Sequence, residues 1–205
     1  MRKKRNAFFL SALILLSAPL SAMTFDEVCK NILKTNVTTG QFKQEKSAKA
    51  LKRPLVSSGA FIISKEGIVW QTKKPFVSTM IVSESAITRI GADGRKSMID
   101  AESNTVFMSV SAMLSSIFKG DKKALEENFF VSFEDGGETW SAVLSPKDTT
   151  IKSAVSSITM SGEVAEGDFS VVVIEQANGD KIRYDFFEKT HKEVLSDEER
   201  AYFGK

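Results

Sequence analysis

From Val37 to Ala101 the apolar side chains come in short runs, each closed by residues that favour turns. Val37–Lys46 is mostly polar, with Phe42 as its one large apolar residue. Leu55–Ser64, Ile68–Thr72, Val77–Ser83, Ala86–Ile90 and Lys96–Ala101 follow at similar spacing. Such spacing predicts consecutive antiparallel strands. Lys65-Glu66-Gly67 and Ala92-Asp93-Gly94 supply turns between neighbours. The period then changes. In VFMSVSAMLSSIFKGDKKALEENF, residues 106–129, Val110, Met113, Leu114, Ile117 and Phe118 share one helical face, and Ser111, Ser115, Ser116 and Lys119 the other. Gly120 ends that helix, and Asp121 caps a second one through Glu127.

Strand patterning returns at Phe129–Glu134 and Thr139–Leu144, on either side of Gly136-Gly137. Ser145-Pro146-Lys147-Asp148 reads as a turn, and Ile151–Ser161 as an extended stretch. Phe169–Gln176 and Lys181–Glu188 pair across Asn178-Gly179-Asp180, a strong hairpin signal. Upstream, Thr24-Phe25-Asp26-Glu27 is a capping box. It opens an amphipathic helix whose stripe is Phe25, Cys29, Ile32 and Leu33. Ser196–Phe203 adds a last helical turn, with Tyr202 and Phe203 tucking back. The total is about eleven strands in one antiparallel sheet or barrel, with an N-terminal helix and two helices inserted in mid-chain. A sheet of this width curls. Either side chains fill its interior, or the helices form a lid over a hollow.

The first residues stand apart from this pattern. Arg2, Lys3, Lys4 and Arg5 precede an uncharged apolar run, Ala7–Leu16, and Pro19 and Leu20-Ser21-Ala22 follow. That is the layout of a secretory signal peptide, residues 1–22. The run is too short to span a bilayer, which needs about 20 residues. Cleavage after Ala22 takes the 205-residue chain to 183 residues, 23–205, which suits a single domain.

Charge and chemistry narrow the function. Removing four basic residues leaves 24 basic against 26 acidic, a net of −2. A balance of this kind carries no nucleic-acid footprint. The basic stretch from Lys43 to Arg53 is either a solvated strand face and turn or a docking patch for an acidic membrane partner. Cys29 is the single cysteine, so it has no internal disulfide partner, and it reads as a buried thiol. His191 is the single histidine. One His and one Cys far apart make a His/Cys metal cluster or a His-based nucleophile a poor reading. The glycine pairs are hairpin turns, not phosphate loops. No enzyme, metal or cofactor is expected.

Phe42-x-Gln44, the Ser58-Gly59-x-Phe61 strand, Trp70 with Pro75 five positions on, the helix at Met113–Phe118, and Leu144-x-Pro146-Lys147 occur here in order. In order and spacing the chain resembles the outer-membrane lipoprotein carrier (LolA) family, over nearly all of the mature length. With RPLVSSGAFII and GIVWQTKKPF it looks closest to a paralogous branch. The resemblance implies an incomplete antiparallel β-barrel whose apolar cavity is covered by an α-helical lid. It implies a monomeric periplasmic carrier without cofactors. Such a carrier takes an acylated cargo, a lipoprotein or related lipid, from an inner-membrane exporter to an outer-membrane acceptor. A non-transporting lipid-sensing or interaction module of the envelope is the alternative. The expected lipid contacts are Phe42, Phe61, Ile63, Trp70, Met80, Val82, Met113, Leu114, Ile117 and Phe118. A register slip of one residue would turn the strand members outward. Where relatives place an Arg followed by Pro, this chain has Lys65 followed by Glu66. Lys65 is then either a lid latch weaker than an Arg fork or a plain turn residue.

Overall fold

The computed structural model describes residues 22–34, 36–83, 86–100, 115–117 and 119–204. Residues 1–21, which make up almost all of the expected signal peptide, lie outside that description. Helix α1 (Phe25–Leu33) begins where its capping box requires. The Glu27 amide donates to Thr24 Oγ1 at 3.2 Å, and the Thr24 amide donates to Glu27 Oε2 at 2.8 Å.

Strands β1 (Val37–Ser47), β2 (Leu55–Ser64), β3 (Gly67–Lys74), β4 (Ser78–Val82), β5 (Ala86–Gly91) and β6 (Lys96–Asp100) form one meander. Strands β7 (Phe129–Asp135), β8 (Thr139–Pro146), β9 (Val155–Glu163), β10 (Val171–Gln176) and β11 (Lys181–Lys192) form another. The first and last strands pair in antiparallel fashion and join the two, with Phe42 opposite Phe186. The result is one 11-stranded open sheet in the order β6-β5-β4-β3-β2-β1-β11-β10-β9-β8-β7. Its edges are β6 and β7, and the described part of the crossing between them, residues 115–117 and 119–128, lies against one side of the sheet. Helix α2 (Lys122–Asn128) lies on that crossing, and Asp121 Oδ1 accepts from the Ala124 amide at its start. Ile117 and Leu125 pack into the same core as Phe42 and Phe61, which identifies the crossed side as the inner one.

Two expectations are corrected between β8 and β9. Ser145 and Pro146 belong to β8, where Pro146 pairs with Phe129 at the end of the ladder, a position that tolerates a missing amide donor. The segment expected to be extended from Ile151 instead makes a helical turn, α3 (Thr149–Lys152). The carboxylate of Asp148 accepts from the Thr150 and Ile151 amides at 2.8 and 3.1 Å. Those bonds draw the backbone out of the extended state before β9 can begin.

The inner core gathers α1, Ile117, α2 and the inward residues of β1–β3 and β7–β11. Phe25 meets Phe133 with ring centroids 6.1 Å apart, and the Met23 amide donates to Asp135 Oδ2 at 2.7 Å, which fixes α1 to the β7 side. Gly120 (φ 62°) ends the helical residues before it, where a Cβ would lie 2.6 Å from the Cys29 carbonyl oxygen. A smaller outer cluster holds Val37, Ile62, Val69, Ile81 and Leu195. Helix α4 (Asp197–Ala201) brings Tyr202 and Phe203 onto it, and Gln71 Nε2 donates to the Tyr202 hydroxyl.

Gly59 is the tightest point in the sheet. It lies opposite Phe42 on one side and a β3 bulge on the other, and a Cβ there would stand 1.7 Å from the Gln71 carbonyl oxygen. Gly59→Ala is therefore expected to lower stability by about 2 kcal/mol or more, read from the urea midpoint, because the clash is with backbone and no rotamer relieves it.

Candidate functional site

Alternation along each strand builds one continuous apolar surface on the inner side. Gly40 pairs with Phe61, Phe61 with Trp70, and Trp70 with Met80; Ile63 pairs with Ile68, and Ile68 with Val82. Directly paired residues share a side of a sheet. Phe42, Phe61, Ile63, Trp70, Met80 and Val82, the six expected strand contacts, thus face the same way, and Ile117 joins them in the core from the crossing segment. They are not equally accessible. Phe42, Phe61, Ile63 and Ile117 are buried, whereas Trp70, Met80 and Val82 are half-buried. Of these expected contacts, the reachable ones are therefore those of β3 and β4. Met113, Leu114 and Phe118 lie outside the described residues.

Trp70 is the hub. Its ring centroid lies 4.2 Å from Phe42, 6.1 Å from Phe61, 5.2 Å from Tyr184 and 5.8 Å from Phe186. Phe169 continues the cluster, 5.3 Å from Phe186. The sequence reading missed this second half of the face: Tyr184, Phe186, Val172, Met160, Ala142, Leu144 and Trp140. Its signal was present in Ile182-x-Tyr184-x-Phe186 and Trp140-x-Ala142-x-Leu144, each with alternate residues turned inward. Trp140 Nε1 is buried and has no hydrogen-bond partner among the described residues.

Residues 17–181 match the family described as outer membrane lipoprotein carrier protein LolA-like. The chain belongs to this LolA-like family. Solved structures of similar fold include a LolA superfamily protein from Nitrosomonas europaea at 7% identity, covering 86% of this chain and 97% of that one with a TM-score of 0.46. The lipoprotein LppX of Mycobacterium tuberculosis gives 10% identity, 84% and 98% coverage, and a TM-score of 0.45. The MucA/MucB complex of Pseudomonas aeruginosa gives 9% identity and a TM-score of 0.47, with 84% of this chain covering 57% of that one. No curated protein matches the chain.

The LolA-like face is apolar around Trp70, Met80 and Val82, with the exposed Arg89 of β5 paired beside Met80. Burial pushes the Tyr184 phenol up to about 12, so it stays neutral across the physiological range. Burial also pushes the Cys29 thiol, on the inward side of α1, up to about 11. Among the described residues no helix is long and apolar enough to cross a membrane, and no group of three or more His, Cys, Asp or Glu is placed to hold a metal. His191 Nδ1 lies 3.1 Å from Thr38 Oγ1, and its Nε2 lies 3.9 Å from Asp168 Oδ2. Asp168 is engaged by Lys189 Nζ at 2.7 Å.

Lys65 sits in the β2–β3 turn with its side chain exposed. Its backbone carbonyl accepts from Lys119 Nζ at 3.5 Å. Among the described residues, one contact between the crossing segment and this turn runs from Lys119 to the Lys65 backbone.

The Cys29 environment carries a pH signature. A thiol whose folded value stands above its ordinary value of 9.0 holds its proton longer when folded. Its contribution to stability is complete below that value and is lost as pH rises toward 11. Urea midpoints measured across that interval should fall more steeply in the unchanged protein than in Cys29→Ala. Parallel curves would mean that the thiol is hydrated in the folded state.

Proposed function

We propose that this chain is a periplasmic carrier that shields the acyl chains of a lipoprotein or related lipid and moves it from the inner to the outer membrane. The supporting observation is the apolar inner face on which Trp70, Met80 and Val82 stay accessible beside a fully packed Phe42–Phe61 floor, with Arg89 paired to Met80 at its β5 border. Each buried methylene is worth about 0.8 kcal/mol, so a sixteen-carbon chain costs roughly 12 kcal/mol to expose to water. No membrane-bound cargo crosses an aqueous compartment at that cost unescorted. Met80 beside Trp70 gives the face a soft, adaptable lining suited to chains of different length.

Release needs a movable cover, because a site that buries acyl chains this well must open to let them go. The crossing segment between β6 and β7 takes that role in our reading, with Met113, Leu114, Ile117 and Phe118 as its cargo-facing side. Phe42, Phe61, Ile63, Trp70, Met80 and Val82 form the cargo-facing side of the sheet. The latch is the contact at the β2–β3 turn, to which Lys65 contributes its carbonyl and Lys119 its ammonium group. An inner-membrane exporter loads the carrier and an outer-membrane acceptor unloads it.

The chain has two tryptophans. In Trp140→Phe, emission from Trp70 alone should shift to the blue as a soluble acylated peptide saturates the protein. An unchanged spectrum at saturation would remove Trp70 from the site. Leu114→Glu should abolish uptake of the same peptide while circular dichroism stays native. Full uptake by that variant would take the crossing segment out of the mechanism.

A further inference from the structure

One end of the sheet lies outside the carrier reading above. On its β1–β6 half three connections leave that end side by side: the β1–β2 loop at 48–54, the β3–β4 turn at 75–77 and the β5–β6 turn at 92–95. The β10–β11 turn adjoins them, with Asp180 4.0 Å from Lys46. The register sets their neighbourhood. Leu55 pairs with Lys46 at the start of β2, Lys74 pairs with Ser58 at the end of β3, and Ser78 pairs with Gly91. The first residues of β2 therefore overhang toward the β3–β4 turn.

This rim combines two features that are each costly in water. Phe76 is 82% exposed, Val77 58%, Leu55 56% and Val56 49%. Large apolar groups this open normally mark a contact surface. Around them stand Lys49, Lys52, Arg53, Lys73, Lys74 and Lys96, all exposed and none in an ion pair among the described residues. Asp93 is the one acidic residue in these three connections, and it pairs with Arg95 at 3.3 Å. The mature chain as a whole is slightly acidic, so this concentration of unpaired cations is local.

We propose that this rim docks the protein on anionic phospholipid bilayers. Lipid phosphates would neutralise the cations, and the projecting Phe76 and Val77 would enter the boundary between headgroups and acyl chains. The apolar residues sit on a protruding turn rather than in a groove. A fluid interface accepts such a projection without shape complementarity, whereas an acidic protein would need a matching pocket. Docking of this kind goes beyond the carrier reading and does not require the inner face to hold cargo. It gives a carrier a way to wait at a membrane without spanning it.

Vesicle flotation tests it, using the mature chain with empty vesicles of phosphatidylcholine alone or with about 30% phosphatidylglycerol. The protein should float with the anionic vesicles, not with the neutral ones, and should detach as salt is raised to about 0.5 M. Lys73→Glu with Lys74→Glu, and separately Phe76→Ser with Val77→Ser, should each weaken flotation about tenfold or more. Val194→Ser, at another exposed apolar position (67% exposed), should change nothing. Equal flotation on both vesicle types, no flotation on either, or rim variants that float normally would overturn the proposal. Uptake of the soluble acylated peptide, followed through Trp70, should survive in the rim variants, so failure of docking and failure of carrying are read separately.

Discussion

Phe42 occupies the middle of the central strand, between Gly59 and Phe186 and under the ring of Trp70. The orientation of the whole sheet depends on that placement. In β2–β4 hydrophobicity cannot choose a side, because Phe61, Ile63 and Trp70 face one way and Ile62, Val69 and Ile81 the other. The choice is made at β1 and β11, where Phe42 alternates with Lys43 and Phe186 with Asp185. A slip of one residue there would bury two charges and expose two phenyl rings, a penalty far larger than the usual stability of a domain allows. Once β1 is seated, hydrogen-bonded register carries its orientation outward to β4 on one side and β7 on the other.

The same constraint links fold to use. A meander on either side of a central pair leaves two free edges, and the described part of the connection between them, Ile117 and Leu125 included, packs on the inner face. What lies beneath it is an apolar surface floored by aromatic rings in tilted and edge-on contact, with Arg89 beside Met80 at its β5 border. The outer face is handled differently. It is polar along β1 and β11, with ion pairs such as Lys43–Glu45 and Arg183–Asp185. It is apolar where α4 and Leu195 cover it, and at exposed positions such as Phe130 and Phe187. One sheet therefore has a largely polar back, a sealed patch under its C-terminal helix, and an apolar inner face.

Much of this was legible from local pattern. The Thr24 capping box, the Asp121 cap and the Asn178-Gly179 turn each work through contacts within a few residues, and all three appear where the pattern placed them. The strands of both meanders were legible for the same reason, since the period of two is a property of neighbouring residues. The Asp148 turn was misread because a short side-chain capping interaction outweighed the β-forming residues beyond it. The second half of the inner face was overlooked. Its alternation was visible in β8 and β11, but nothing local reveals that strands so distant in sequence close onto Phe42 and Trp70.

The amino-acid order by itself determined where helices and strands begin, which turns join them, and that the large side chains of each strand fall on alternate sides. Those outcomes rest on capping, steric limits on the backbone, and the two-residue period, all of which act within one turn or one hairpin. Tertiary structure alone decided that the first and last strands meet, and which side of β2–β4 became the interior. It alone also brought Lys119 to the Lys65 carbonyl and put the β3–β4 turn at the same end of the sheet as the β1–β2 and β5–β6 connections. Each of these joins residues far apart in the chain, and their energies arise only after the sheet has assembled.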